Sequence, residues 1–349
     1  MQQISGDLVN HTVLIKKPKD VGRLYTKSRF GTPLSGNVLR LSLLEAVFLC
    51  GEQKLQVYSK KKPVSFADLV HLATEEIPRF ELLYLAYRDL RKRGHFVSQI
   101  NGNSLVSFHV NAEKKDIPTA DVLVCSERDD FSMADLLTLH SSIHDHLLWI
   151  ALIDEEGDIT YYSVSLQSIE GKISSIQYPP GKAYLLDNRV VVFDNTLADL
   201  LHKREFYGKP FGNGLQVSLV EALYLAHLGI LTIYSKTDKK KIPYKQLESV
   251  FQQIQPDILT RLQVFTDLKH RQLLVKTGFK FGTHFRVYTQ DPNKIHAEYL
   301  VHVVPSSFTA LWSEISRGVR LAHSVNKEFL FACITENTIM YVSLGRLRP

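Results

Sequence analysis

The feature that most constrains this chain is that it repeats itself. The segment SLLEAVFL at Ser42–Leu49 returns as SLVEALYL at Ser218–Leu225, and VYSK at Val57–Lys60 returns as IYSK at Ile233–Lys236, both at an offset of 176 residues. DLRKRGHFV (Asp89–Val97) returns as DLKHRQLLV (Asp267–Val275) at an offset of 178, a shift that fits the longer turn TDKKK at Thr237–Lys241. Three matches in one order and at nearly one spacing mean a duplicated unit about half the 349-residue chain.

Each unit reads as two parts. The first is helix-rich: apolar residues recur at helical spacing in Leu219, Leu223 and Ala226, and again in Leu259, Leu262 and Phe265. The second begins as strands. THFRVYT (Thr283–Thr289) alternates in period two, with Phe285 and Val287 on one face and Arg286 and Tyr288 on the other. AEYLVHVV (Ala297–Val304) reads as the next strand. Ser306 or Ser307 is then expected to cap a helix whose apolar stripe is Phe308, Leu311, Trp312, Ile315 and Val319. FLFACI (Phe329–Ile334) reads as a buried strand with Ile339–Val342 as its partner, and YPPGK (Tyr178–Lys182) as the linker between units. The expected fold class is α/β in the α+β sense, a tandem repeat. Each copy has a helix-rich N-terminal subdomain and a small mixed-sheet C-terminal subdomain. The expected divisions are 1–110, 111–178, 179–278 and 279–349.

Composition narrows the function classes. Hydrophobic content of 44% and charged content of 22% are ordinary for a soluble globular protein. No apolar run approaches the roughly 18 to 20 residues that span a bilayer. The opening MQQISGDLVNHTVLIKKPKD has no apolar signal core, so a cytoplasmic protein without membrane contact is expected. Cys50, Cys125 and Cys333 are odd in number, far apart and set in apolar stretches, and read as buried free thiols. A net charge of +6 permits nucleic-acid binding.

That charge is unevenly spread. Residues 279–349 carry 8 basic and 5 acidic side chains, whereas the matching 111–178 carry 4 basic and 13 acidic. The second copy suits phosphate and the first repels it. The acidic turn Asp154, Glu155, Glu156, Gly157, Asp158 is read as a hairpin that plugs a basic groove on another subunit, in preference to a merely solubilising surface.

Three residues of the last 70 can do chemistry together. Tyr288 ends a strand, His296 opens the next eight residues later, and Lys327 stands at the mouth of FLFACI. A histidine moves protons near neutrality, a lysine holds charge on a pentavalent phosphoryl group, and a tyrosine orients or deprotonates a hydroxyl. That set can turn an RNA 2′-hydroxyl against its own phosphate with no metal and no cofactor. Setting Leu300-Val301 on Leu123-Val124 puts Thr119 at the His296 position, Val110 or Asn111 at Tyr288, and Asp145 or His146 at Lys327. The first copy then lacks all three while keeping the apolar scaffold.

The stretch FKFGTHFRVYTQDPNKIHAEYLVHVVP, followed by GVRLAHSVNKEFLFA, resembles the catalytic domain of tRNA-intron endonucleases, and the tandem arrangement is similar to the archaeal homodimeric subtype. The resemblance implies catalytic roles for three residues. Tyr288 would be the general base on the 2′-hydroxyl, His296 the general acid on the leaving 5′ oxygen, and Lys327 the transition-state stabiliser. It implies a homodimer and a precursor tRNA cut at a bulge–helix–bulge element, leaving a 2′,3′-cyclic phosphate and a 5′-hydroxyl. Arg320 matches a family arginine that stacks on a bulged base. For the second clamp residue the choice is Arg346, with Arg348 and Tyr341 behind it.

Two other readings compete with this one. A metal-dependent nuclease needs clustered carboxylates. Asp291, Glu298, Glu314, Glu328 and Glu336 form no such pattern, and the run His140, His144, His146 lies in the acidic half. A non-catalytic RNA-binding or assembly subunit describes the first repeat alone, but the second keeps all three chemical residues.

Overall fold

The computed structural model describes residues 3–99, 108–111, 119–143, 146–237, 239–336 and 338–349. Its central feature is one sheet of ten strands shared by both repeats. The order runs Leu274–Thr277, Phe285–Tyr288, Tyr299–Pro305, Glu328–Ile334, Ile339–Leu347, then Ile159–Gln167, Leu147–Ile153, Ala120–Ser126, Phe108–Asn111 and Phe96–Gln99. The second half of the list mirrors the first.

The seam between repeats is the antiparallel pair Ile159–Gln167 and Ile339–Leu347, in which Val164 faces Leu344. Both residues lie at the same point of their hairpins, so a local two-fold axis passes through this pair. A second contact obeys the same symmetry, since Phe131 pairs with Ala310 between Asp130–Ser132 and Thr309–Leu311. Phe131 lies edge-on to Trp312 at 5.0 Å and stacks on Phe331 at 5.5 Å. The buried Tyr162 hydroxyl meets Ser316 at 2.7 Å. Fusing the two sheets removes an edge from each, which would otherwise present unpaired amides and carbonyls to other chains.

The expected strands appear with shifted ends. Phe285–Tyr288 and Tyr299–Pro305 are antiparallel, and Tyr299–Pro305 runs parallel to Glu328–Ile334. The partner of that last strand extends to Leu347, beyond the expected Val342, because its far end is pairing with the other repeat. The serine cap is a correction. Helix Trp312–Ser324 starts after Leu311, without a side-chain cap, so neither Ser306 nor Ser307 caps it. Thr309–Leu311 is drawn into the symmetric strand pair. The Trp312 and Ser313 amides then donate to the Asp129 and Glu127 carbonyls at 3.0 and 3.1 Å. The first repeat thus satisfies two of the four amides that a helix start leaves unpaired. Trp312, Ile315 and Val319 are buried as expected, while Leu311 is 42% exposed.

The N-terminal halves hold helices as expected, among them Leu219–His227 and Ile258–His270, but also a sheet apiece, six-stranded in the first and five-stranded in the second. Those strands are two to six residues long, too short for period two to declare itself. The repeated S-L-x-E is a helix start in both copies. Ser42 and Glu45, and Ser218 and Glu221, form capping boxes. The spare carboxylate oxygen accepts from Gly31 N at 2.7 Å and from Gly208 N at 3.1 Å. Both glycines sit at positive φ, +71° and +56°, where an L side chain is strained. The shared sheet already includes Phe96–Gln99 and Leu274–Thr277, N-terminal to the divisions expected at 110 and 278. Cys50, Cys125 and Cys333 are free, the last two buried.

Candidate functional site

Tyr288, His296 and Lys327 lie on three neighbouring segments of the second repeat that are tied together by backbone hydrogen bonds. Glu298 N donates to the Val287 carbonyl at 3.0 Å, and Glu328 N donates to the Glu298 carbonyl at 2.9 Å. The stretch 296–298 is thereby held between Tyr288 and Lys327. Thr289 reinforces the clasp by donating to the Glu298 carboxylate at 2.7 Å.

Each side chain has a different setting. Tyr288 lies opposite the face of Phe285 and Val287 and is 8% exposed, packed with Leu274 and Ala297 and against Ile173 and Phe206. Burial rather than solvation therefore orients its ring, and the Arg286 guanidinium sits 5.9 Å from it. His296 is exposed, following a turn in which the Asp291 carbonyl accepts from Lys294 N and Ile295 N at 2.9 and 3.1 Å. Lys327 leaves the helix through Asn326, at φ +53°, and its own amide donates to the Ala322 carbonyl at 2.9 Å. Its half-buried ammonium donates to the Val325 carbonyl at 3.3 Å and lies 5.9 Å from the Phe281 ring. The arrangement is a buried phenol, a solvent-facing imidazole and a fixed cation around one strand end.

Arg320 is exposed on helix Trp312–Ser324, and Arg346 is exposed near the end of its strand, opposite Tyr162. Leu330 faces Ser343 in the neighbouring ladder, so extending that register brings Arg346 level with Lys327. The hairpin Asp154–Asp158 joins two strands as expected. Asp154 Oδ1 shapes it, accepting from Glu156 N at 3.1 Å and Asp158 N at 2.9 Å. All four acidic residues are exposed, and Glu155 meets Arg128 at 2.6 Å in a pair that water largely screens.

The hydrogen bonds correct the alignment of the two copies. Thr119 N donates to Val110 O and Leu147 N donates to Thr119 O, the pattern that Glu298 makes with Val287 and Glu328. Thr119 therefore corresponds to Glu298, not to His296. The His296 position falls on Ile117, which lies outside the described residues. Asn111 stands for Tyr288 and His146 for Lys327. Setting Leu300-Val301 on Leu123-Val124 is two residues out, because Leu-Val occurs in both strands and apolar identity cannot fix register. His144 and Asp145 also lie outside the described residues.

Sequence reasoning missed one group altogether. His109, Asp121 and His146 converge in the first copy, their nearest nitrogen and oxygen atoms all within 4.8 Å of one another. His109 and Asp121 face each other across adjacent strands, a relation that 12 residues of sequence do not reveal.

Comparison with known proteins follows the same outline. The family model described as tRNA intron endonuclease, catalytic C-terminal domain, matches residues 258–341. The model of the N-terminal domain of that family matches twice, at 4–70 and 181–247. The tRNA-splicing endonuclease of Methanococcoides burtonii is 35% identical over 98% of this chain and 99% of its own length. That of Methanosarcina barkeri is 34% identical over 99% of both chains, and that of Halobacterium salinarum 30% identical over 99% of this chain and all of its own. Among the described residues no helix is long and apolar enough to cross a membrane.

Proposed function

The chain belongs to the tRNA intron endonuclease family, and from that premise we propose that it excises introns from precursor tRNA by metal-independent attack of a 2′-hydroxyl at bulge–helix–bulge sites. Tyr288 acts as general base on the 2′-hydroxyl and His296 as general acid on the departing 5′ oxygen. Lys327 stabilises the charge on the phosphoryl group between them. The products carry a 2′,3′-cyclic phosphate and a 5′-hydroxyl. One observation supports this reading: the backbone clasp through Glu298 ties together the three segments that carry Tyr288, His296 and Lys327, and His296 is exposed. Arg320 and Arg346, both exposed, supply the cations that stack on splayed bases.

The same reading makes the enzyme a cytoplasmic homodimer, with division into the four subdomains set out above. The acidic 111–178 unit serves assembly, its Asp154–Asp158 hairpin entering a basic pocket on the partner's catalytic copy. The test of the chemistry uses a pre-folded bulge–helix–bulge RNA in monovalent salt with saturating EDTA. Cleavage to cyclic-phosphate ends is expected. Complete loss of cleavage that Mg²⁺ restores would overturn the metal-free triad.

A further inference from the structure

We propose that the first copy holds a divalent transition-metal site, built from His109, Asp121 and His146, in the place where the second copy keeps Arg286, Leu300 and Lys327. The inference stands on the geometry of the first copy and does not rest on the reaction proposed for the second.

The position is set by register. His146 is the counterpart of Lys327. His109 and Asp121 pair directly across the ladder, as Arg286 and Leu300 do in the second copy. Where the second repeat has two cations and a leucine, the first has two imidazoles and a carboxylate. Each ligand comes from a different, adjacent strand or its entry: Phe108–Asn111, Ala120–Ser126 and the lead into Leu147–Ile153. Two ligands on paired strands, with the third one residue ahead of the next strand, are held more rigidly than ligands on loops.

Charge gives the reason to expect an ion. Asp121 is 6% exposed. Among the described residues its ion pairs go to His109 and His146. Two neutral imidazoles would leave a buried carboxylate uncompensated, which is costly. A divalent cation would compensate it.

The geometry selects the kind of ion. Both histidines present Nδ1 to the same carboxylate oxygen, His146 at 3.3 Å and His109 in closer contact. The rings are 6.0 Å apart at 81°, so their lone pairs converge from two directions. A tetrahedral ion with bonds of about 2.0–2.2 Å needs ligand atoms roughly 3.4 Å apart, a spacing that His146 and Asp121 already have. Two nitrogens and one oxygen suit zinc, cobalt or nickel, whereas magnesium and calcium prefer oxygen throughout. A water would complete the shell.

The experiment uses the full-length protein, purified without a histidine tag and stripped of metal. Equilibrium dialysis against Zn²⁺, and the visible absorption of added Co²⁺, are measured for the parent, Asp121→Asn, His109→Gln, His146→Gln and, as control, His296→Ala. One ion per chain is expected, with a tetrahedral Co²⁺ spectrum and a melting temperature that rises with Zn²⁺. Affinity should fall at least tenfold in each ligand variant and stay unchanged in His296→Ala. Circular dichroism of the metal-free variants checks that they fold. If one does not, the parent's stoichiometry and Co²⁺ spectrum still decide. No ion bound by the parent at micromolar free Zn²⁺, or binding that survives in Asp121→Asn and His146→Gln but is lost in His296→Ala, would overturn the site.

Discussion

The two repeats solve one packing problem in two ways. In the first, the Arg91 guanidinium donates to the Ser28 carbonyl at 2.6 Å and lies 3.8 Å over the Phe30 ring. In the second, Lys269 stands in the place of Arg91, Glu205 in that of Ser28 and Tyr207 in that of Phe30. Lys269 pairs with Glu205 at 2.6 Å, with side chains only 6% and 3% exposed. Glu205 also accepts from the Tyr178 hydroxyl at 3.0 Å and the Tyr207 hydroxyl at 3.3 Å. Burial and the charge of Glu205 push the Tyr207 phenol well above its ordinary value. A cation on neutral carbonyls and an aromatic face is self-sufficient, whereas a buried ion pair is stable only while both members are present. The copy that carries the candidate residues Tyr288, His296 and Lys327 thus uses mutually dependent charges at this position. Its Lys276 shows the same habit, lying 3.6 Å from Glu221 and donating to the Gly208 carbonyl at 3.1 Å.

The contrast yields four tests. The largest effect is chemical. His296→Ala should lower single-turnover cleavage by roughly 10²- to 10⁴-fold while leaving RNA affinity nearly unchanged. Thr119→Ala and Asn111→Ala in the first copy should leave the cleavage rate at the parental value. Equal losses from the two copies would erase the functional distinction between them.

Next comes the buried pair. Lys269→Met strands Glu205 and should cost about 3–5 kcal/mol of unfolding free energy. Arg91→Met leaves two neutral carbonyls without a donor and removes only the attraction of the Glu45 carboxylate, and should cost about 1–2 kcal/mol. Urea denaturation of both variants measures the difference, and equal costs would mean that the two solutions are energetically the same.

The third test concerns acid. His284 lies 4.4 Å from His302, ring to ring, and its Nδ1 accepts from Val303 N at 2.8 Å. Burial, then the His302 and Arg261 charges, lower it from the ordinary 6.5 to about 3, despite Asp257 at 3.6 Å. The folded value is below the unfolded one, so the unfolded chain binds the extra proton as pH falls between these values. Stability is therefore full above about pH 6.5 and declines below it, by about 2 kcal/mol at pH 5. The His302 position is Leu123 in the first copy. His284→Asn keeps an acceptor for Val303 and should flatten the decline in melting temperature from pH 7 to 5. An unaltered slope would move the acid sensitivity elsewhere.

The smallest effect tests the acidic half. Replacing Asp154 with Asn, Glu155 and Glu156 with Gln, and Asp158 with Asn keeps the turn acceptors and removes the charge. Sedimentation should show a dimer at least tenfold weaker, with cleavage reduced in step, and high salt should act in the same direction. A dimer of parental strength would return the hairpin to the status of a solvated loop.

What the residues declare by themselves is whatever depends on local order. The duplication follows from three matched segments. The helix starts at Ser42 and Ser218 follow from a capping pair three residues apart, and the strand 329–334 from an unbroken apolar run. The candidate residues Tyr288, His296 and Lys327 were legible because their motif is nearly contiguous. Tertiary structure decided everything that depends on register. The start of helix Trp312–Ser324 is set by strand pairing with residues 130–132, more than 170 positions away. The alignment of the two copies needed the Thr119 and Glu298 amides, because Leu-Val recurs at more than one depth of the sheet. The cluster of His109, Asp121 and His146 exists only because three strands lie side by side. Side chains on neighbouring strands meet through backbone hydrogen bonds that any sequence can make. Their encounters are therefore written in the pairing and not in the spacing.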